Sequence, residues 1–409
     1  MSGIVIIGAS YAGVQTAISA REAGYAEPIR IVSDEDMLPY QRPPLSKAYL
    51  LDGVAEDKLV LRGEKYFADK NIELLLGITA TRVDRAGKRL ELQNKPALPF
   101  DRLVVATGSR ARQLPAASDV KNIFYLRSLA DARALKSQLH AASEIVVIGG
   151  GFIGLEVAAS ASKLGKKVTV IESAKRLIER ALSPTLSEFL RDIHTAHGVT
   201  IRFSETVTGI AANGNTTQVH CANGDKLNAD LVLVGIGGIP NTEMAAEAGV
   251  HCENGIAVDE FGVSNQSEIM AAGDCTSHFN GLVQRSIRLE SVQHAQDQAK
   301  AAGASIAGQR VPYVSVPRFW SDQYDAKLQM VGLSEGHDRQ AIRGSIAEGK
   351  FSVFLFRGAR LVAIDSVNRP GDQLIGRRLL AGSAKLTAEQ VADVAFDLKS
   401  LATDDIRAE

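Results

Sequence analysis

Two short glycine turns are the strongest chemical signal in the sequence. The second turn has the pattern Gly149-x-Gly151-x-x-Gly154 and directly follows the apolar run 145–148. A nucleotide pyrophosphate needs exposed backbone N–H groups at a helix N-terminus and no side chains in the way, and glycines supply both. This spacing, placed between a strand and a helix, therefore predicts a dinucleotide-binding site.

An acidic residue, Glu172, closes the next apolar strand, 18 residues after Gly154. A carboxylate at this place accepts hydrogen bonds from ribose hydroxyls and repels a 2′-phosphate. The second site is therefore expected to bind NADH in preference to NADPH. Arg176 lies four residues further on, where a guanidinium could serve a phosphate, but we expect it to face solvent.

The first turn, Gly8 to Gly13, keeps the outer glycines but has Ser10 in the middle. That position faces the pyrophosphate, so the small serine side chain must fit beside it. Asp34 or Glu35 ends the next strand and supplies the acid for a second adenosine ribose. Either turn could instead be a tight connection without a ligand. Two such folds in one chain favour FAD in the first site and NADH in the second, with hydride passing between them.

The elements around the two turns follow one plan, a strand, a helix and a second strand, used twice. The predicted strands are 4–7, 29–32, 102–105, 145–148, 167–171 and 231–234, and the predicted helices are 14–23 and 155–164. This alternation favours parallel sheets covered on both faces. The expected fold class is α/β with two Rossmann-like dinucleotide-binding domains.

From residue 316 onward the sequence favours a separate α+β domain. The segments 351–356 and 361–364 predict an antiparallel hairpin, and a helix over 387–401 is expected to follow. The predicted domains are an FAD-binding domain at 1–109 and 237–315, an NAD-binding domain at 110–236, and the C-terminal domain at 316–409.

Composition excludes several classes of protein. The 409 residues are 45% hydrophobic and 23% charged with a net charge of −1, which fits neither a basic nucleic-acid coat nor an acidic disordered tail. The three cysteines, Cys221, Cys252 and Cys275, form no Cys-x-x-Cys pair, so neither a disulfide scaffold nor a metal site is expected. With no targeting segment and no convincing membrane span, we expect a soluble, cytoplasmic protein.

Eight segments carry a resemblance to a known family. They are Gly8 to Gly13, Arg42-Pro43-Pro44-Leu45-Ser46-Lys47, Ala106-Thr107-Gly108, Tyr125-Leu126-Arg127, Gly149 to Glu156, Gly273-Asp274-Cys275, Glu290-Ser291-Val292 and Phe319-Trp320-Ser321-Asp322-Gln323-Tyr324. On these motifs the chain resembles, over nearly its full length, the FAD-dependent NADH:ferredoxin reductases of bacterial oxygenase systems, the family of putidaredoxin reductase and the dioxygenase ferredoxin reductases. The resemblance implies a glutathione-reductase-like fold. Ser10 departs from the family pattern and bears on the tightness of FAD pyrophosphate binding.

The resemblance implies FAD contacts at several positions. Ala12 and Gly13 would hold the pyrophosphate through backbone N–H groups, Asp34 would bind the adenosine ribose, and Ala80 would touch the adenine. The full set of expected cofactor-binding residues is Gly8, Ser10, Ala12, Gly13, Asp34, Arg42, Lys47, Ala80, Thr107, Gly108, Arg127, Asp274, Val292, Trp320, Gly149, Gly151, Ile153, Gly154, Glu172 and Gly237.

Three of these residues would contact the phosphates, the ribityl chain and the flavin ring of FAD. The resemblance places Arg127 near the phosphates and Asp274 beside the ribityl chain or the phosphate side. Val292, at the start of a helix predicted over 292–304, would donate its N–H to the flavin O2. A helix N-terminus at that place also stabilises the negative charge of the reduced ring.

Four residues are expected to support the chemistry: Lys47, Glu156, Glu290 and Trp320. In the family a lysine and a glutamate meet beside flavin N5, and Lys47 and Glu156 match them; an ordinary salt bridge between domains is the alternative. Glu290 could bind the nicotinamide carboxamide or be an exposed cap. Trp320 would mark the electron exit at the flavin edge, with an ordinary core tryptophan as the alternative.

A missing thiol separates this chain from other flavoproteins of the same fold. Those that reduce disulfides or peroxide place a cysteine beside the flavin, in the segment that is 42–47 here, and this segment has none. Cys275 is expected to be a small buried residue. Electrons would therefore leave the flavin singly or go to oxygen, so the alternatives to a ferredoxin reductase are an NADH oxidase and a redox-sensing flavoprotein.

The expected partner is an acidic [2Fe-2S] ferredoxin, with no nucleic acid and no membrane, and the chain itself is expected to be a monomer or weak homodimer. Residues 280–320 hold five Lys/Arg and two Asp/Glu, and residues 339–378 hold eight and three. Such basic segments would steer an acidic protein. The basic residues expected to contact it are Arg285, Arg288, Arg310, Arg318, Arg377 and Arg378.

Overall fold

The structure is a computed structural model that describes residues 2–115, 120–382 and 385–401. Two compact units divide the chain. The first unit comprises Met1–Gln41, Glu56–Arg110 and Ile239–Pro317, and the second comprises Arg42–Ala55, Ala111–Gly238 and Arg318–Glu409. The parts of the expected domains at 116–119, 383–384 and 402–409 lie outside the described residues.

Nine α-helices lie within the described ranges. They are α1 Tyr11–Glu22, α2 Glu64–Asp69, α3 Leu129–Ala141, α4 Phe152–Lys163, α5 Pro184–Ala196, α6 Glu243–Glu247, α7 Val292–Ile306, α8 Pro370–Ala381 and α9 Ala388–Ala392. Short 3-10 turns add Pro43–Ser46, Glu56–Lys58 and Leu398–Leu401. In this part of the chain, no helix combines the length and the hydropathy needed to cross a bilayer.

Twenty-six strands complete the described ranges. The first half of the chain contains β1 Ile4–Ile7, β2 Ile29–Val32, β3 Ile72–Leu75, β4 Ala80–Asp84, β5 Arg89–Leu92, β6 Lys95–Pro99, β7 Arg102–Val105, β8 Ser109–Ala111, β9 Ile123–Phe124, β10 Glu144–Ile148, β11 Lys167–Ile171 and β12 Thr200–Arg202. The second half contains β13 Val207–Asn213, β14 Thr216–Cys221, β15 Lys226–Ala229, β16 Leu231–Val234, β17 Gly238–Pro240, β18 Ile256–Val258, β19 Ile269–Ala271, β20 Thr276–Asn280, β21 Arg285–Ile287, β22 Arg318–Gln323, β23 Ala326–Gly332, β24 Arg339–Ser345, β25 Lys350–Arg357 and β26 Arg360–Val367.

A five-stranded parallel sheet, in the order β19-β7-β1-β2-β3, organises the first unit. Every residue of β1 is buried, as expected for a central strand that is covered on both faces. Helices α1 and α7 pack on each other against this sheet. Their contact is close, since a Cβ at Gly303 would lie 2.6 Å from the Ser19 Cβ. This packing holds the N-termini of α1 and α7 in fixed positions within the first unit.

A second parallel sheet, in the order β12-β11-β10-β16-β9, repeats this plan in the second unit. Strand β10 lies in its centre and leads into α4. The expectation of two Rossmann-like domains in an α/β fold is confirmed. The helices that follow the two turns begin at Tyr11 and Phe152, three residues earlier than the predicted helices, because the glycine turn itself supplies the first turn of helix.

A five-stranded antiparallel sheet, in the order β22-β23-β26-β25-β24, forms the end of the second unit. Strands β25 and β26 pair over the expected hairpin. Helix α8 packs on this sheet and was not among the expected elements. The sheet follows the α+β expectation for this part of the chain.

The helix expected over 387–401 is wrong. Helix α9 ends at Ala392, and the chain then turns into Leu398–Leu401. The guanidinium of the buried Arg343 donates hydrogen bonds of 2.5 to 3.2 Å to four backbone carbonyls, those of Val391, Asp393, Val394 and Phe396. These four carbonyls turn toward one side chain, and the chain after Ala392 does not continue as a helix.

Candidate cofactor and electron-transfer site

The second glycine turn contains two kinds of glycine. Gly149 has a φ of +105°, and an added Cβ would lie 2.4 Å from the Gly235 carbonyl oxygen. A Cβ at Gly154 would lie 2.3 Å from the Gly149 oxygen. A Cβ at Gly151 would meet nothing nearer than the Gly235 oxygen at 3.8 Å. The outer glycines are therefore required by the protein's own packing, whereas Gly151 leaves open space at the turn.

The N-terminus of α4 is open beside that space. Gly151 is its N-cap residue and no side chain caps it, so the first N–H groups of the helix have no helical partner. In helices α3 and α7, in contrast, a serine hydroxyl accepts one N–H of the first turn: Ser128 accepts from Asp131, and Ser291 accepts from His294. Ile153, in the first turn of α4, is 43% exposed. This arrangement fits a phosphate group at the helix end.

Glu172 lies at the rim of this turn. Its Oε2 accepts the N–H of Gly150 at 2.6 Å, and its Oε1 accepts the N–H of Ala174 at 2.7 Å. Carboxylate oxygens have further lone pairs, so ribose hydroxyls can still donate to them. Arg176 was expected to face solvent, but its guanidinium is instead turned toward the protein. It donates to the Leu182 carbonyl at 2.7 Å and to Ser187 Oγ at 2.9 Å.

The first glycine turn has the same outer geometry. Gly8 has a φ of +109°, and its added Cβ would lie 2.3 Å from the Ala106 oxygen. A Cβ at Gly13 would lie 1.9 Å from the Gly8 oxygen. Ser10 is the N-cap of α1, yet its side chain accepts no capping hydrogen bond. The N–H groups of Ala12 and Gly13, in the first turn of α1, have no helical partner.

The two acids after β2 differ in their surroundings. The Tyr40 hydroxyl donates to the carboxylate of Glu35. Asp34, two residues after the strand, is exposed. Of the two residues that the sequence left open, Asp34 is therefore the one whose carboxylate faces solvent.

The other expected FAD residues of the first unit lie on loops or at the start of a strand or a helix. Thr107 Oγ1 donates to the Asn241 carbonyl at 2.7 Å, and the Asn241 N–H donates to the Gly108 oxygen at 2.9 Å. Ala80 begins β4, Asp274 is half-buried after β19, and Val292 begins α7.

Besides the residues of the second glycine turn and Glu172, five more expected cofactor residues belong to the second unit: Arg42, Lys47, Arg127, Trp320 and Gly237. The Arg42 guanidinium donates to the Arg127 carbonyl at 2.8 Å. Gly237 has a φ of +107°, and an added Cβ would meet no atom within 4 Å.

Glu156 is the centre of a buried polar cluster. It lies on α4, is 4% exposed, and its Oε2 accepts from Lys47 Nζ at 2.7 Å and from the Ser46 hydroxyl. Its Oε1 accepts from Ser321 Oγ at 2.7 Å. Lys47 and Glu156 therefore meet, as expected, within one unit. Ser46 and Ser321 were not expected, although both lie in the quoted motifs.

The cluster continues past Ser321. Gln323 Nε2 donates to Ser321 Oγ at 3.1 Å, and His194 Nε2 lies 2.7 Å from Gln323 Oε1. Ser321 and Gln323 are two residues apart on β22 and so share one face of the strand. That alternation could have been read from the sequence, whereas His194 of α5 carries no such signal.

Trp320 and Glu290 have different surroundings. Trp320 is half-buried on β22 and lies opposite Gln329 of β23, so it is neither a fully buried core residue nor a freely exposed one. The neighbouring Phe319 ring lies 4.3 Å from the Phe152 ring of α4. Glu290 forms an ion pair with Arg288.

All three cysteines are free and have raised pKa values. Burial raises the pKa of Cys275, which is fully buried, to about 11, and it also raises the pKa of Cys221 and of Cys252. A thiolate is the reactive form of cysteine. The cysteines of this chain are therefore suited to packing and not to a thiol relay.

The basic residues expected to contact a partner divide between the units. Arg285 and Arg378 are exposed, and the Arg310 guanidinium lies 4.1 Å from the centre of the Phe261 ring. Arg288 is engaged by Glu290. Arg318 and Arg377 are half-buried.

Comparison with known protein families decides what this arrangement belongs to. Residues 2–299 match the model of the pyridine nucleotide-disulphide oxidoreductases, and residues 318–402 match that of the reductase C-terminal domain. The chain belongs to the pyridine nucleotide-disulphide oxidoreductase family. It is a flavoenzyme of that family, with FAD and NAD(H) as its cofactors.

Within this family the chain is similar to ferredoxin reductases, and the resemblance stated from its motifs is confirmed. It is 46% identical to rhodocoxin reductase of Rhodococcus erythropolis, over 97% of this chain and 93% of that protein. It is 41% identical to putidaredoxin reductase of Pseudomonas putida, over 97% and 96%. Its structure matches the reductase in a covalent putidaredoxin reductase–putidaredoxin complex with a TM-score of 0.93, at 40% identity over 98% and 97% of the two chains.

Proposed function

We propose that this family member is an NADH-dependent ferredoxin reductase that supplies electrons to an oxygenase or a cytochrome P450. Hydride would pass from NADH to FAD, and single electrons would then pass to a [2Fe-2S] ferredoxin. The observation that carries the proposal is the pair of helix ends without a side-chain cap at two glycine turns, in a chain whose segment 42–47 has no cysteine.

The cofactors supply the redox chemistry: NADH donates a hydride, and the flavin converts this two-electron step into single-electron steps. The chain supplies binding and charge. The first turns of α1 and α4 would each hold a pyrophosphate through backbone N–H groups, with Asp34 and Glu172 on the adenosine riboses.

Glu156 and Lys47 would orient the reacting rings. Their ion pair has an N–O distance of 2.7 Å, with Glu156 buried and the Lys47 side chain 21% exposed. A carboxylate that accepts from Lys47, Ser46 and Ser321 is fixed in direction. Val292 would add the positive end of α7, which stabilises negative charge on the reduced ring.

Direct electron exit follows from the state of the cysteines. Burial raises the pKa of all three thiols, which disfavours the thiolate that a relay needs. This favours a ferredoxin as acceptor over a thiol-dependent oxidase. Trp320 would lie on the exit route, and the exposed Arg285 and Arg378 would attract an acidic ferredoxin.

An anaerobic titration tests the proposal. We expect the purified protein to be yellow, to be bleached by NADH more readily than by NADPH, and to reduce an added acidic [2Fe-2S] ferredoxin rapidly. Reduction of cytochrome c should depend on that ferredoxin and should slow with added salt. A protein that stays colourless after FAD is supplied, or that reduces cytochrome c equally fast without ferredoxin, would contradict the proposal.

A further inference from the structure

A line of buried polar side chains leads away from the oxygen of Glu156 that Lys47 does not touch. Ser321 is 0%, Gln323 1% and His194 0% exposed. Burying polar groups costs free energy unless each one is hydrogen-bonded. A continuous line of three, ending on a buried carboxylate, therefore calls for a role beyond filling space.

The hydrogen bonds of this line all run in one direction. Oε1 of the Glu156 carboxylate can only accept, so the Ser321 hydroxyl spends its one proton on it. Ser321 Oγ must then accept from the Gln323 amide, which turns Gln323 Oε1 toward His194. The nitrogen that faces this oxygen, His194 Nε2, must carry the proton.

The outer end of the line reaches solvent at charged and aromatic groups. Burial lowers the pKa of His194, which keeps its ring neutral, with Nδ1 as the acceptor. The Tyr324 hydroxyl lies 3.4 Å from that Nδ1, and the Tyr324 ring stacks on exposed His197 at a centroid distance of 3.7 Å. Lys163 Nζ donates to the Tyr324 carbonyl at 3.3 Å.

We propose that Ser321, Gln323 and His194 are positioning residues that hold the carboxyl group of Glu156 in a single orientation for hydride transfer. The proposal rests on the proposed function, since it assigns Glu156 to the reacting rings. The two oxygens of the Glu156 carboxyl group have different partners. Oε2 accepts hydrogen bonds from Lys47 and Ser46, and Oε1 accepts the hydrogen bond from Ser321 that ends the line. If the line is broken, the carboxylate can rotate and Lys47 loses its fixed partner.

This line is not a proton path. A side-chain amide passes a proton only through a high-energy tautomer, so Gln323 separates His194 from Ser321 as far as proton transfer is concerned. What crosses the amide is polarisation, because hydrogen bonds in a chain strengthen one another in a low dielectric. The effect on Glu156 is therefore one of charge and direction.

The first test uses the unmodified holoenzyme. Nitrogen-15 labelling of histidine, read by NMR, distinguishes the two neutral tautomers and the imidazolium. We expect the His194 signal, assigned by its loss in His194→Asn or its shift in Tyr324→Phe, to show the Nε2–H tautomer of the neutral ring at about pH 8. An Nδ1–H tautomer would overturn the proposal.

The second test breaks the line at one link. In Gln323→Leu or Ser321→Ala we expect the limiting rate of flavin reduction by NADH to fall about tenfold, the Kd for NADH to change less than about twofold, and the visible spectrum of bound FAD to shift. The matched control is Gln340→Leu, which removes an exposed amide that bonds Thr185. It should leave all three measurements unchanged.

Glu156→Gln provides the decisive background. Without the carboxylate, breaking the line should alter the rate by less than about twofold, because there is no charge left to orient. A full tenfold fall in that background would mean that Gln323 and Ser321 merely support the fold, and it would overturn the proposal. If NADH fails to reduce the wild-type flavin, the proposed function fails, whereas the tautomer of His194 still decides the fate of the line.

Discussion

The two glycine turns share one steric solution and differ in what surrounds it. In both, the first and last glycines are demanded by nearby carbonyl oxygens, at 2.3 and 1.9 Å in the first turn and 2.4 and 2.3 Å in the second. The middle position is Ser10 in one and Gly151 in the other, where a Cβ would have open space. The outer positions thus report on the protein's own packing, and the middle position reports on the ligand.

The acids at the two turns show a second difference. The Glu172 carboxylate accepts hydrogen bonds from the N–H groups of Gly150 and Ala174, so it stabilises its own turn even without a bound ribose. Asp34 is exposed and holds no such group. Removal of Glu172 should therefore disturb the turn itself, whereas removal of Asp34 should affect only the ligand.

The largest effect should come from a methyl group at the last glycine of either turn. A Cβ at Gly13 or Gly154 forces apart the start of the helix and the strand end, since the nearest oxygen would be 1.9 or 2.3 Å away. We expect each variant to lose on the order of 3 kcal/mol of binding free energy for its own nucleotide. Gly13→Ala should purify without flavin, and Gly154→Ala should stay yellow but resist NADH, as read from absorbance and anaerobic titration. Loss of flavin from Gly154→Ala would show that the turns are not independent.

Acid should separate the units that carry the two turns. Burial lowers the pKa of His278 to about 3 and that of His294 to about 4, against an ordinary value of 6.5, and both lie in the first unit. As pH falls, these histidines bind protons in the unfolded chain before they do so in the folded one. Their contribution to the free energy of unfolding is therefore fully present above pH 6.5 and falls below it by roughly 1.4 kcal/mol per pH unit for each histidine. In the second unit, burial also lowers the pKa of His194, but it raises the pKa of Asp365 to about 6, which has the opposite sign: the contribution of Asp365 is present in acid and is lost as pH rises through 6. The second unit is therefore expected to lose less stability in acid than the first, which holds two such histidines.

Hydrogen exchange measures this separation. At pH 5, after correction for the intrinsic exchange rate, β20 and α7 should lose protection before β25 and β26. His278→Phe should remove about half of the acid sensitivity of the first unit. Equal loss of protection in both units would contradict the assignment.

Gly151→Ala sharpens the comparison at the middle position. Because its Cβ would meet nothing nearer than 3.8 Å, we expect an unchanged melting temperature but an affinity for NADH at least about tenfold weaker. Gly371→Ala is the control, since its Cβ also meets open space but lies away from the turn. Unchanged NADH affinity in Gly151→Ala would mean that the space is not used by the nucleotide.

Glu172→Ala should weaken NADH about tenfold, leave FAD bound, and raise the ratio of NADPH to NADH use, since the carboxylate no longer repels a 2′-phosphate. Steady-state kinetics with both nucleotides measures this, with Asp34→Ala as the counterpart that should weaken FAD alone. Unchanged NADH kinetics in Glu172→Ala would contradict the second site.

Ser10→Gly should have the smallest effect. Since the Ser10 side chain caps nothing on α1, we expect the dissociation of FAD to change less than about threefold, as measured by flavin fluorescence during dilution. A tenfold change would show that the hydroxyl bonds the pyrophosphate directly.

Local patterns in the sequence were enough to predict both turns and their strands. Gly149 and Gly154 could be identified from their spacing after an apolar strand, although only the contact of Gly154 with the Gly149 oxygen is local; Gly149 is required by the carbonyl of Gly235, on a distant part of the chain. The Lys47–Glu156 pair came only from family resemblance, because its partners are 109 residues apart. His194 and Gln323 lie 129 residues apart, and nothing in their local sequence announces that they meet.

The wrong helix over 387–401 has the same origin. Its local composition favours a helix, but the competing partner, Arg343, lies on a different strand and cannot be foreseen from spacing. Long-range contacts to backbone groups override local preference here.

The grip of Arg343 on the end of the described chain has an evolutionary consequence. Every amino acid has the same backbone carbonyl oxygen, so the hydrogen bonds that Arg343 donates do not depend on the side chains of residues 391–396. The exposed Asp393 and Val394 are thus free to drift among relatives, provided that the main chain keeps its path. Selection should instead concentrate on position 343, where a lysine would surrender the fork that reaches several acceptors at once.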